Sequence, residues 1–121
     1  MAKRFEEFEV WQTARVLVKE IYLLTGESNL RKYYSITDQI QRAALSVMNN
    51  IAEGYERQSV KEFIHMLSIA KGSTGEVRSI LYVLLDMSLI DEQTFKSFCT
   101  KTLFISKSLS GFMSFLKNKN S

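Results

Sequence analysis

The sequence predicts an all-α fold, an antiparallel up-down four-helix bundle. Four stretches place apolar side chains at alternating spacings of three and four, the period of one helix face. Proline, the commonest breaker of long helices, is absent from all 121 residues. No apolar/polar alternation of useful length competes as a strand. One domain over residues 1–121 follows, with helices at about 5–25, 36–56, 60–87 and 92–117, four rods being expected to pack as a left-handed bundle.

In the first helix Trp11, Ala14, Val18 and Ile21 form the stripe, flanked by Val10, Leu17 and Leu24, and Gly26 is its expected stop. Ser35, with Asp38 three positions on, resembles the N-cap of the second helix. That helix buries Ile36, Ile40, Ala43, Ala44, Val47 and Ile51 and is expected to exit at Gly54. Ser59 and Glu62 fit a capping box that opens the third helix, whose stripe is Phe63, Leu67, Ala70, Thr74, Val77, Leu81 and Leu84. Gly72 and Gly75 each cost that helix about 1 kcal/mol against alanine, so a closely packed neighbouring backbone is expected beside them. Asp91 caps the fourth helix, which carries the clearest periodicity: Phe95, Phe98, Thr102, Ile105, Leu109, Phe112 and Leu116.

Phe104 and Phe115 fall together on the wheel of the fourth helix, away from this stripe. Large apolar side chains outside the bundle seam mark a subunit contact, so a homo-oligomer is expected. The charge of +3 is unevenly spread. Residues 1–58 hold eight Lys/Arg and eight Asp/Glu, whereas Lys96, Lys101, Lys107, Lys117 and Lys119 follow Gln93 with no acid among them. A basic helix face of this kind can meet the phosphates of RNA or DNA, more strongly when repeated around an oligomer. A solvated face that only keeps a protein-binding scaffold soluble is the alternative.

Signals for catalysis are lacking. His65 is the only histidine and Cys99 the only cysteine, so neither a multi-histidine metal site nor a disulfide can be assembled. No phosphate-binding glycine loop or nucleophile elbow is present. No cofactor, metal or enzymatic activity is expected. With no apolar run long enough for a membrane span and no signal-peptide core, a cytoplasmic location is expected.

Arg42, Ser46, Asn49 and Glu53 make a polar stripe beside the apolar face of the second helix, and Ser73 and Glu76 make one on the third. They are expected to pair into a network fixing register or a subunit contact.

The run Gln39-Ile40-Gln41-Arg42-Ala43-Ala44-Leu45-Ser46-Val47-Met48-Asn49-Asn50-Ile51-Ala52-Glu53-Gly54-Tyr55 resembles the signature of the four-helix bundle family named for the 23S ribosomal RNA intervening-sequence protein. Phe8 to Ala14, Glu62 to Ile64 and Ala70 to Glu76 extend the resemblance over nearly the whole chain. The resemblance implies a small bacterial protein forming a ring, most simply a pentamer. It also implies a family-motif polar network of Arg42, Ser46, Asn50, Glu53, Ser73 and Glu76. Met48 departs from it, the family commonly carrying proline there, which implies a straighter second helix.

Overall fold

The computed structural model describes residues 4–119. They form a short 3-10 turn, Phe5–Glu7, and four helices: α1 (Glu9–Thr25), α2 (Tyr34–Glu56), α3 (Val60–Asp86) and α4 (Glu92–Lys119). No strand occurs among the described residues. Pairs across each seam run in opposite order along the two chains. Gly54 meets Met66 and Ser46 meets Ser73 between α2 and α3, while Tyr82 stacks on Phe95 and Phe63 on Phe112 between α3 and α4. Thr25 with Gln41 and Phe8 with Tyr55 relate α1 to α2 in the same sense.

The expected stripes are the core. Ala14, Leu17, Ile21, Ile40, Val47, Ile51, Leu67, Val77, Leu81, Leu84, Ile105 and Leu109 are fully buried. Their burial, at about 25 cal/mol per Å² of apolar surface, is the main term holding the helices together. Trp11 is also buried, its ring edge-on to Phe5 at 5.1 Å. Its indole N–H finds no hydrogen-bond partner among the described residues.

Several boundaries differ from the sequence expectation, each for a local reason. The first helix does not begin at Phe5. The Glu7 and Phe8 N–H groups donate to the Arg4 and Phe5 carbonyls at 3.1 and 3.0 Å, closing a 3-10 turn. Two side chains hold it: the Glu7 carboxylate accepts from the Arg4 N–H at 3.0 Å, and the Gln12 amide donates to the Glu6 carbonyl at 2.8 Å. Phe8 is then extended (φ −76°, ψ 124°), and this break turns its ring toward Tyr55, Phe63 and Phe112.

Ser35 does not cap α2. Tyr33 holds the cap position without a side-chain bond, Ser35 lies exposed in the first turn, and Asp38 accepts instead from Arg42 Nε at 2.8 Å. Nor does Gly54 end α2. The helix runs through it, and through Met48, to Glu56. Gly54 is buried where α2 crosses α3. A Cβ there would lie 2.8 Å from Met66 Cβ and 3.0 Å from Phe63 Cδ1.

Gly72 and Gly75 reverse the expectation made for them, because a Cβ at either would meet nothing within 4 Å. Both face open space in this chain. Ser59 does cap α3, its hydroxyl accepting from the Glu62 N–H at 3.3 Å, while the Glu62 carboxylate takes Arg57 at 3.1 Å.

The α3–α4 connection has a feature with no glycine to announce it. Ser88 stands in the left-handed region (φ 59°), its N–H donating to the Leu85 carbonyl while the Leu89 N–H donates to the Leu84 carbonyl at 2.9 Å. This is a Schellman ending with serine in the place usually held by glycine. At the same end, Asn29 donates to the Leu89 carbonyl at 3.1 Å and Leu30 is fully buried, so the longer α1–α2 connection is pinned to the shorter one.

Gly54→Ala is expected to destabilise the fold by about 1–3 kcal/mol, since the added methyl overlaps Met66 Cβ. Urea unfolding checks it, and Gly72→Ala, which meets open space, serves as the control.

Candidate nucleic-acid interface

α4 begins with its cap in place. The Thr94 N–H donates to Asp91 Oδ1 at 2.7 Å, and this bond holds the Asp91 carboxyl below its ordinary range. From there α4 packs on α3, with Phe95 against Tyr82 and Phe112 against Phe63, and buries Thr102, Ile105 and Leu109 in the core, leaving its other side outward.

The five lysines separate into different environments. Lys107 and Lys117 are exposed, with no ion pair among the described residues. Lys96 is exposed and lies 3.9 Å from Glu92 one turn back, a contact that at this exposure contributes little. Lys101 is not an outward cation: it is half-buried and donates to Glu20 of α1, closing the seam between α1 and α4. Lys119 lies over the Phe115 ring at 5.8 Å from its centroid. The basic surface is therefore Lys96, Lys107 and Lys117, with Lys119 at the far end and Lys101 removed.

Phe104 and Phe115 are exposed to 47% and 57%, and Leu103, which the sequence reading passed over, to 55%. Although they share an angle on the helix, Phe104 and Phe115 stand eleven residues apart, about 16 Å along the axis. They can serve different surfaces.

The polar residues of α2 and α3 are joined only in part. Ser46 and Ser73 share a hydrogen bond of 2.8 Å across the helices, and Asn50 donates to the Ser46 carbonyl and hydroxyl at 2.8 and 2.9 Å. Arg42, Glu53 and Glu76 stand outside this triad. Arg42 pairs with Asp38, Glu53 with Arg57 at 2.6 Å, and Glu76 accepts from Gln39 at 2.8 Å, all at exposed positions. Asn49 is exposed. The triad therefore reads as a register lock inside one subunit.

No group of three or more His, Cys, Asp or Glu side chains is placed to hold a metal ion among the described residues. His65 is exposed. Burial pushes the Cys99 thiol up, with the nearby Arg78 charge opposing it, so it is a weak nucleophile. No helix is long and apolar enough to cross a membrane among the described residues.

These features define a small all-helical bundle with a basic outer helix. The family model described as 23S rRNA-intervening sequence protein matches residues 6–111, and the chain belongs to that family. Among solved structures, a protein of unknown function from the S23 ribosomal protein family of Bacteroides thetaiotaomicron VPI-5482 is 25% identical. It superposes with a TM-score of 0.80 over 87% of this chain and 95% of its own. No curated protein matches the chain.

The Asp91 cap gives a pH signature. A carboxyl lowered by folding contributes stability that is fully present above its unfolded pKa and fades as pH falls through the folded one. Asp91→Asn keeps a capping oxygen without the titration, so its unfolding free energy is expected to fall less steeply than that of the wild type in the acid range. Urea titrations at stepped pH measure this.

Proposed function

We propose that this protein is a non-catalytic, oligomeric nucleic-acid-binding bundle that engages RNA through backbone phosphates, without reading bases in a duplex. The observation that carries the reading is the outer face of α4, where Lys96, Lys107 and Lys117 are exposed and no acid follows Glu92. Phosphate contacts add in number, so a few lysines per subunit become effective when a ring repeats them. Membership of a family described by a ribosomal RNA intervening sequence supports RNA over other polyanions.

Assembly is the second part of the proposal. The bundle is left-handed and joins copies of itself in a ring, a pentamer by family resemblance, within the cytoplasm. Leu103 and Phe104 are exposed side by side on α4, and the backbone of α3 has open space beside Gly72 and Gly75, so both helices offer surface to a second copy. A protein-binding scaffold is the rival reading, favoured by the same exposed apolar residues.

A Lys96, Lys107 and Lys117 to glutamate triple variant is expected to lose about two orders of magnitude in affinity for structured RNA near 0.1 M salt. Its slope against salt should also be flatter in fluorescence anisotropy. Unchanged binding removes those lysines from the mechanism, and co-purification of a protein without RNA favours the scaffold. Phe104→Glu is expected to shift the solution mass from a multiple of 14.0 kDa toward the monomer, as read by light scattering. A wild-type monomer at working concentration contradicts assembly.

A further inference from the structure

Where α1 and α3 begin and α2 and α4 end, four segments bring aromatic rings together. Phe8, Tyr55, Phe63 and Phe112 lie with centroids 5.0–6.1 Å apart, mostly edge to face. They do not close the end of the bundle. A cavity of about 420 Å³ opens beside them, within the range of about 300–1,000 Å³ typical of ligand sites. Most of its wall is apolar. Phe115 (57% exposed) and Val60 (37%) stand on it partly open to solvent, and Tyr55, Gln58, Ser59 and Lys119 are its members with polar atoms. The rim is positive on the α4 side, where Lys119 sits over Phe115, and α4 carries no acid beyond Glu92.

A flat aromatic ring joined to a nearby negative charge complements such a site in shape and sign. A nucleotide has that chemistry. Proteins that hold unpaired strands combine exposed aromatic platforms, on which bases stack, with basic side chains that track the phosphates.

We propose that this cavity receives one unpaired base of a single-stranded RNA, stacked against Phe115, with the adjoining phosphate against Lys119. The assignment rests on the RNA-binding reading above and adds to it: the α4 face meets phosphates of any fold, while the bundle end selects an unpaired nucleotide. It also separates Phe115 from Phe104, giving the first to ligand and the second to assembly. Gln58, on the rim with a donor and an acceptor, is placed to meet the edge of the base.

The test is fluorescence anisotropy on the full chain, with a labelled single-stranded oligoribonucleotide, the same sequence closed in a duplex, and free mononucleotides as competitors. Light scattering follows the mass of each variant. Expected are tighter binding of the single strand than of the duplex and about tenfold weaker single-strand binding in Phe115→Ala, with duplex binding and mass unchanged. Lys119→Gln should flatten the single-strand salt slope by about 0.7. Val60→Trp, which adds bulk to the cavity from the start of α3, should reproduce the loss if Phe115→Ala folds poorly.

Single-strand binding by Phe115→Ala and Val60→Trp equal to wild type overturns the cavity assignment. If the triple lysine variant still loses affinity, the α4 reading survives that result. Absence of any RNA binding by the wild type overturns both. A fall in mass on Phe115→Ala would assign the surface to a second copy and overturn the proposal, as would mononucleotides competing as well as the strand.

Discussion

The distance between α2 and α3 at Gly54 governs the arrangement of the rest. With no side chain there, Met66 and Phe63 fill the space over the α2 backbone, leaving no room for even a methyl group. Ala43 and Ala44 of α2 and Ala70 of α3 are buried small residues, and the Ser46–Ser73 bond joins the two helices. Arg57 bridges Glu53 and Glu62 across the turn, holding the end of one helix to the start of the next. Close approach of this pair sets the platform on which the outer helices lie. α4 is anchored mainly to α3, and its junction with α1 is lighter, with the Lys101–Glu20 pair spanning it. An outer helix held from one side leaves a broad face to solvent, and that face carries the lysines.

How much of this was legible in the sequence depends on whether the cause was local. The stripe of α4 was readable because its spacing never breaks, and the caps at Ser59 and Asp91 because their donors lie three residues away. Glycines were the opposite case. Gly54, Gly72 and Gly75 look alike in sequence, yet one sits against another helix and two face space, a difference decided by the helix opposite. The serine at the left-handed position of the α3–α4 connection gave no signal, since the turn is held by backbone bonds to Leu84 and Leu85. The break at Phe8 also lacked a breaker residue, the turn before it being held by the Glu7 and Gln12 side chains on the backbone of Arg4 and Glu6.

The candidate surface divides in the same way. An acid-free run of lysines is a property of composition and was visible at once. That Lys101 turns inward was not, because its partner Glu20 lies 81 positions earlier. The polar residues of α2 and α3 were recognised as a group, and three of them do join. Of the others, Arg42 and Glu53 found partners one turn away along the chain, while Glu76 accepts from Gln39 across the two helices, all at exposed positions. The aromatic end of the bundle draws on four separate segments. Read one helix at a time, Phe63 and Phe112 looked like parts of ordinary core stripes and Phe8 and Tyr55 belonged to none, and only their convergence reveals the opening beside them.

Trp11 has a consequence for how this molecule can be watched. It is the only tryptophan, held edge-on to Phe5 with the Arg15 guanidinium 5.8 Å from its ring. Its emission is thus a local gauge of whether the first turns of α1 are docked, whereas helical dichroism sums over the entire chain. If α1 peels away from its lightly joined neighbour before α2 and α3 separate, the two signals will part during unfolding, and their coincidence would mark a single cooperative unit.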